Sequence, residues 1–429
     1  MYDLIVIGGG WAGVNAAKKA KELGLNTCLI EKNELGGTCL NRGCIPTKAL
    51  IQSARVFTFC KKSGSFGIEG VDPAVNFTKI QERKGALIRQ LRRGTEFMLK
   101  GVEVINAEAK FLSDSEVSAG GKTLKAKYIL IATGSLPVEL EKIKFDGKKI
   151  ISSDQILDLK EAPQSLLIIG GGVIGCEFAN LFSTLGTKVT IVEKMPQLLP
   201  GIDTDTAKKI EAVFKKNGIT VKTGVNASAG DIKDYELTLL CVGRRANTAG
   251  VQIEKTGIKT LESAVIVDDY LKTNIPNIYA AGDCTQKFML AHFAAYQGKI
   301  AAQNMADKGC GLRKADNSSI PSCIFTEPEI ACVGISETEA KGKGLNIKVS
   351  RFDFLGLGMA RVMDETDGFI KIISDSASDE VLGAGIIGPR ATEVVGILTL
   401  AVSARLKAAQ LRDTIFAHPT ISEAISEAL

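Results

Sequence analysis

The sequence predicts an α/β chain in which one parallel βαβ plan is used twice and a smaller α+β portion follows. Three observations predict it. Residues 2–7 (YDLIVI) read as a continuous apolar strand running into Gly8-Gly9-Gly10-Trp11-Ala12-Gly13, an amphipathic helix pattern, and a second strand ending in an acid. The same succession returns at Ser165 with the same spacing, since 23 residues separate both Gly8 from Glu31 and Gly170 from Glu193. From about Ala315 the glycine turns stop, and short strand patterns alternate with helical ones.

In the first copy a helix is expected over residues 14–23, closed by Gly24, and a strand over 27–30, closed by Glu31. The glycine turn between strand and helix is a dinucleotide site in full context. Gly8 permits the tight turn, Gly10 admits a pyrophosphate to the backbone, and Gly13 lets helix and strand close up. Glu31 is placed to accept from a ribose hydroxyl. The second copy has a strand over 165–169, the turn with Gly170, Gly172 and Gly175, a helix over 176–185 and a strand over 188–192 closed by Glu193. Two copies imply two bound dinucleotides. An acid at the second site repels a 2′-phosphate, so NAD rather than NADP is expected there, with Lys194 read as a solvated lysine.

Residues 36–48 (GGTCLNRGCIPTK) hold Cys39 and Cys44, five positions apart among three glycines. A regular helix would separate their α-carbons by roughly 7.5 Å or more, whereas a disulfide wants about 4.4–6.8 Å. Bonding therefore requires a distorted backbone, which Gly36, Gly37 and Gly43 permit. So short a loop would stabilise the fold by only about 2 kcal/mol, which suits a redox switch better than a scaffold. Two unrelated buried thiols are the alternative at this point. Pro46 suits the first turn of a helix continuing through Thr47 and Lys48.

Residues 74–100 read as a solvated amphipathic helix, followed by strands over 103–105 and 127–131, the latter running into Ala132-Thr133-Gly134. A similar strand, 237–242, runs into Gly243-Arg244. Residues 272–283 give a turn, a short strand and Gly282-Asp283, where Asp283 suits a ribitol or a phosphate-bound water, an ordinary loop acid being the alternative. Strands are then expected over 322–325, 331–334, 346–352, 369–374 and 381–387, and a long apolar-faced helix over 393–406.

At 429 residues, 45% hydrophobic and 24% charged, the chain has the composition of a multi-domain globular protein. A net charge of +5 without blocks of like charge gives no reason to expect a nucleic-acid or membrane partner. Ten cysteines are too few for a disulfide scaffold, and with two histidines and no CxxC pair no metal site is expected. A strand pattern starting at Tyr2 leaves no room for a secretory leader, and a reducing cytoplasm is the expected compartment. Neutral-pH imidazole chemistry must use His292 or His418. His418 precedes Pro419, which fixes the local backbone, and Glu423 lies near a helix start where it would orient the ring. His292, on an expected helix, is read as packing.

Taken in order, GGGxxG, GGTCLNRGCIPTK, ATGS, GGGVIGCEF, GRRANT, AAGDC, TEPEIACVG and HPTISEA resemble the flavoprotein pyridine-nucleotide disulfide oxidoreductases, and within them the dihydrolipoamide dehydrogenases. The resemblance implies two Rossmann-like FAD- and NAD(P)-binding domains plus a C-terminal α+β dimerisation domain. The implied FAD domain, carrying the redox disulfide, covers 1–144, and the NAD domain 145–268. A central segment, 269–314, returns to the FAD domain, and 315–429 form the interface domain. Cys39 would be the thiol that meets dihydrolipoamide and Cys44 the flavin-proximal one. His418, oriented by Glu423, would be the base and act across a homodimer. Gly8, Gly10, Gly13, Glu31, Thr38 and Asp283 would hold FAD, and Gly170, Gly172, Gly175 and Glu193 would hold NAD. Thr133, Gly134, Gly243 and Gly282 would also bind cofactor, and Lys48 and Glu177 would pair beside the flavin and nicotinamide. The implied partner is a lipoyl carrier domain of a 2-oxoacid dehydrogenase or glycine-cleavage complex. An NAD(P)H-dependent reductase of another disulfide, a thiol or a metal ion is the rival on the same fold. Trp11 replaces a small residue or proline usual in the first turn, Ala246 replaces a proline, and few residues separate Thr223 from Thr238, so the NAD-domain sheet is expected to be truncated.

Overall fold

The computed structural model describes residues 1–307 and 309–429. The first body opens with β1 (Tyr2–Ile7), α1 (Trp11–Glu22) and β2 (Thr27–Glu31). Then come α2 (Gly37–Arg42), α3 (Cys44–Lys62), α4 (Phe77–Met98), β3 (Glu103–Asn106), β4 (Ala109–Phe111), β5 (Glu116–Ala119) and β6 (Lys122–Ile131). After β7 (Ser135–Pro137) the second body uses β8 (Ile150–Ile151), β9 (Ser165–Ile169), α5 (Val173–Thr184), β10 (Lys188–Glu193), α6 (Thr204–Lys216), β11 (Thr220–Thr223) and β12 (Leu237–Leu240). The return path holds β13 (Arg244–Ala246), β14 (Thr260–Leu261), β15 (Ala264–Val265), β16 (Ile278–Ala280) and α7 (Ala291–Met305). The C-terminal body has β17 (Ser322–Ile324), β18 (Glu329–Gly334), α8 (Glu337–Gly342), β19 (Ile347–Asp353), α9 (Gly358–Val362), β20 (Phe369–Asp375) and β21 (Val381–Gly388). It closes with α10 (Ala391–Ser403), α11 (Ala408–Arg412) and α12 (Ala424–Glu427).

The first sheet runs β3-β2-β1-β6-β5-β4, with β16 added beside β6, and the second runs β11-β10-β9-β12-β8. Every pair in the second sheet is parallel. Such strands are covered on both faces, which is why Leu4–Ile7 and Leu166–Ile169 are unbroken buried runs. The two copies match bond for bond. Gly8 N–H donates to Ile30 O at 2.8 Å and Gly170 N–H to Val192 O at 2.9 Å. Ala132 N–H meets Ile7 O at 2.8 Å, and Cys241 N–H meets Ile169 O at 2.9 Å. Both helices begin three residues earlier than expected, because Gly10 and Gly172 are already their N-caps. The last three residues of each glycine turn thus belong to the first helical turn, whose N–H groups have no partner inside the helix.

Two differences from expectation have physical reasons, and the truncation expected of the second sheet is present. β6 starts at Lys122, not 127, because its first half pairs antiparallel with β5 across Gly120-Gly121, leaving one face wet and the run too polar to read as a buried strand. Between β11 and β12 no strand is present among the described residues, so the second sheet lacks the hairpin that the first one carries. The chain also returns to the first body before residue 268: β13 pairs with β7, and Val251, Ile253, Ile258, Val265 and Val267 sit in the first core.

The C-terminal sheet is antiparallel, in the order β17-β18-β21-β20-β19. The helix α3 lies where the three bodies meet. Its Leu50, Ile51 and Ala54 share one core with Phe178 and Phe182 of α5 and with Ile324, Ile330 and Ile387 of the C-terminal sheet. Full burial of a Leu or Ile is worth about 1.5–3 kcal/mol, so the element that begins at Cys44 is anchored from both sides. Among the described residues no helix is long and apolar enough to cross a membrane.

Candidate active site

The distortion that the cysteine spacing demands is present. The helix α2 stops at Arg42, Gly43 takes φ −150° and ψ −115°, and α3 starts afresh at Cys44. Asn41 Nδ2 donates to Leu35 O and Gly37 O at 2.9 and 3.0 Å, and Thr47 Oγ1 donates to Gly43 O at 2.7 Å, which fixes the break. Both sulfurs are free thiols that face one cavity. Their hydrogen bond separates them chemically. Cys39 keeps its proton, its pKa raised first by that bond and then by burial. The same bond draws Cys44 down to about 7 against the cost of burial, and the nearby Lys48 ammonium helps.

Lys48 Nζ lies 2.8 Å from both Glu177 oxygens. Glu177 Oε1 also accepts from Phe325 N at 3.0 Å, and the ammonium stands 4.5 Å from the centre of the Phe325 ring. One buried carboxylate thus ties α3, α5 and the C-terminal body together beside the thiols. Breaking such a pair would leave an uncompensated buried charge.

The cavity has a volume of about 1710 Å³ and joins both glycine turns to the cysteines. Gly10, Thr38, Lys48, Gly134, Gly170, Gly172, Glu177, Glu193, Gly243, Gly282 and Asp283 line it. Gly8, Gly13, Glu31, Thr133 and Gly175 do not. A Cβ on Gly13 would stand 1.8 Å from Gly8 O, and one on Gly175 2.0 Å from Gly170 O. Those glycines are required by the protein's own packing. A Cβ on Gly172 would meet nothing within 4 Å, and one on Gly10 only Gly37 Cα at 4.0 Å. The central glycines leave space that the protein does not fill, as a pyrophosphate lying on each turn requires. Gly172→Ala is therefore expected to cost less than about 1 kcal/mol of stability yet to weaken NAD binding at least tenfold. Gly175→Ala is expected to cost about 1–3 kcal/mol by overpacking. Urea unfolding and NAD titration check both.

Each acid closes its turn alike. Glu31 accepts from Gly9 N and Asn33 N at 2.6 and 2.7 Å, and Glu193 accepts from Gly171 N and Met195 N at the same two distances. Lys194, expected to be merely solvated, is exposed but stands on the cavity wall. Asp283 accepts from Ser135 Oγ at 2.6 Å, and Arg244 Nε donates to that hydroxyl at 2.8 Å. Thr133 Oγ1 is buried without a partner next to Gly134.

His418 is elsewhere. Its Nδ1 is 2.8 Å from Glu423 Oε1, and Glu423 Oε2 accepts from Thr420 N at 2.7 Å. The Thr420 N–H, and next the His418 ring, hold the Glu423 carboxyl below its usual range. The His418–Pro419 bond is cis. The ring is 81% exposed and absent from the cavity wall, so the structure forms the His–Glu pair but not beside this chain's own thiols. His292 does reach the cavity, with Nε2 2.9 Å from Pro321 O, and burial lowers its pKa so that the neutral ring is favoured.

Residues 2–298 match the family described as pyridine nucleotide-disulphide oxidoreductase, and residues 320–429 match its dimerisation domain. The chain belongs to the pyridine nucleotide-disulphide oxidoreductases. It is 40% identical to a dihydrolipoyl dehydrogenase of Chlamydia muridarum over 447 residues, covering 99% of this chain and 96% of that one. It is 37% identical to one of Bacillus subtilis over 461 residues, covering 100% and 97%. A solved HOCl-induced flavoprotein disulfide reductase, RclA from Escherichia coli, superposes with a TM-score of 0.89 at 29% identity, covering 100% of this chain and 99% of that one.

This oxidoreductase family works with FAD and NAD, and the residues present fit both. Two phosphate cradles with room above their central glycines open into one cavity, and an unpartnered hydroxyl, Thr133 Oγ1, lies beside it. Phe325, Arg244 and Trp11 also face the cavity without having been marked as site residues by the sequence. Arg244 follows a Gly at a strand end, which is a signal. Phe325 comes from another body and carries none.

Proposed function

We propose that the chain acts as a dihydrolipoyl dehydrogenase, a cytoplasmic homodimer oxidising dihydrolipoamide on a lipoyl carrier domain of a 2-oxoacid dehydrogenase or glycine-cleavage complex. The observation that carries this is the asymmetric Cys39–Cys44 pair on the wall of a cavity that joins two dinucleotide cradles.

In the oxidised pair, a substrate thiolate attacks Cys39 Sγ and the sulfur–sulfur bond breaks toward Cys44. A leaving thiol of low pKa departs faster, and Cys44 is the one held near 7. The substrate's second sulfur then closes its own disulfide and releases Cys39, which takes up a proton. His418 of the partner subunit removes the substrate's thiol protons. Glu423 accepts at Nδ1, which leaves Nε2 free as the base. Bound FAD and NAD supply the two-electron acceptor chemistry that reoxidises the thiols. Glu193 supports NAD rather than NADP.

The likeness to a disulfide reductase favours the rival, a reductase of another disulfide or of a metal ion. A panel of lipoamide, glutathione disulfide and Cu(II), assayed with NADH and NADPH, tests the reading. Lipoamide with NAD(H) is expected to turn over at least about 100-fold faster than the others. Inert lipoamide alongside turnover of another acceptor would sink the proposal.

A further inference from the structure

We propose that Trp11 is a positioning and specificity-determining residue of the dithiol site, its indole N–H held against Cys39 Sγ and its ring walling the approach to that sulfur. The proposal rests on Cys39 being the sulfur that meets substrate.

Trp11 is the first residue of α1 and the only tryptophan in the chain. Asn15 Nδ2 donates to its carbonyl at 2.9 Å. The loop that carries Cys39 is clamped against the turn that carries Trp11. Gly36 N–H donates to Gly9 O at 2.8 Å, and a Cβ on Gly37 would stand 2.7 Å from Gly10 Cα. Both side chains line the cavity. The indole hydrogen bond favours the ionised form of Cys39, against the larger opposing effects of Cys44 and burial.

That contact acts in the second half of the exchange. After the first attack, Cys39 is bonded to one substrate sulfur and Cys44 carries the released electron pair. The substrate's second thiolate then attacks the first substrate sulfur, the intramolecular disulfide forms, and the mixed disulfide breaks with its electron pair going to Cys39 Sγ. Cys39 is the less readily ionised of the two cysteines, so it is the poorer leaving group, and a fixed N–H donor stabilises the charge where it appears. The flat, rigid ring also presents an apolar wall that suits a small aliphatic dithiol better than a charged peptide disulfide.

The test uses holoenzyme in three forms: wild type, Trp11→Phe, which keeps a ring without the donor, and Trp11→Ser, which loses both. Iodoacetamide alkylation of Cys39 in the NADH-reduced protein is followed against pH by peptide mass spectrometry. Steady-state kinetics are measured with dihydrolipoamide and with glutathione disulfide. Both variants are expected to move the Cys39 alkylation profile to higher pH. Trp11→Ser alone is expected to raise the KM for dihydrolipoamide about 3- to 10-fold and to narrow the preference over glutathione disulfide. Profiles and KM values unchanged within twofold would overturn the proposal. So would a parallel fall in NADH-to-ferricyanide turnover, which bypasses the thiols and would assign Trp11 to the flavin. The alkylation profile needs no lipoamide, so inert lipoamide with wild-type protein defeats the functional reading and not the role of Trp11.

Discussion

Serine in place of Cys44 is expected to leave a folded, yellow protein that oxidises dihydrolipoamide at least about 10³-fold more slowly than wild type. The fold should survive, because the Cys44 side chain faces the cavity and its partner is Cys39 rather than any packing contact. Serine is also well tolerated at a helix start. What is lost is the leaving group. The Cys44 thiol ionises near pH 7 because the Cys39 hydrogen bond and the Lys48 ammonium overcome burial, whereas a serine hydroxyl has no such anion to offer and forms no disulfide. Dithionite titration gives an independent reading: uptake should fall from about four electrons per flavin to about two. Normal lipoamide turnover in this variant would remove the pair from the reaction.

The parts of the fold visible in the sequence are those where covalent geometry leaves little choice. Two glycine turns repeated with their acids at the same distance specify two βαβ units, and backbone contacts at Gly8, Gly13, Gly170 and Gly175 explain why a side chain at those positions is costly. Cys39 and Cys44 were legible as a closable pair because helix rise and disulfide span conflict at that spacing. The β5–β6 hairpin was hidden by polar outward positions, although Gly120-Gly121 marked its turn. Local pattern also says nothing of which core a strand joins, so residues 251–267 read as part of the second body although they pack in the first. Phe325 meets Glu177 and Lys48 only through tertiary packing. The asymmetry between the two thiols likewise depends on side-chain placement that local pattern does not give, Lys48 one helical turn on from Cys44 in α3 and Trp11 from α1 beside Cys39.

The position of His418 has a consequence that mixed dimers can decide. His418→Gln alone should lower dihydrolipoamide turnover by about 10²–10⁴-fold, the range for loss of a positioned general base. That result would not say whose thiols the ring serves. A second experiment does. Subunits carrying Cys44→Ser are unfolded, refolded together with subunits carrying His418→Gln, and loaded with FAD. If the ring serves its own chain, every subunit holds one defect and all sites stay inactive. If it serves the partner, each mixed dimer has one site with both defects and one with none. With random pairing about half the dimers are mixed, so activity should recover to about a quarter of wild type. The exposed His418–Glu423 pair, ordered by Thr420 yet absent from the cavity wall, and the match of residues 320–429 to a dimerisation domain both favour recovery. Activity no higher than that of the separate variants would place the base on the same chain as its thiols and require another path between them.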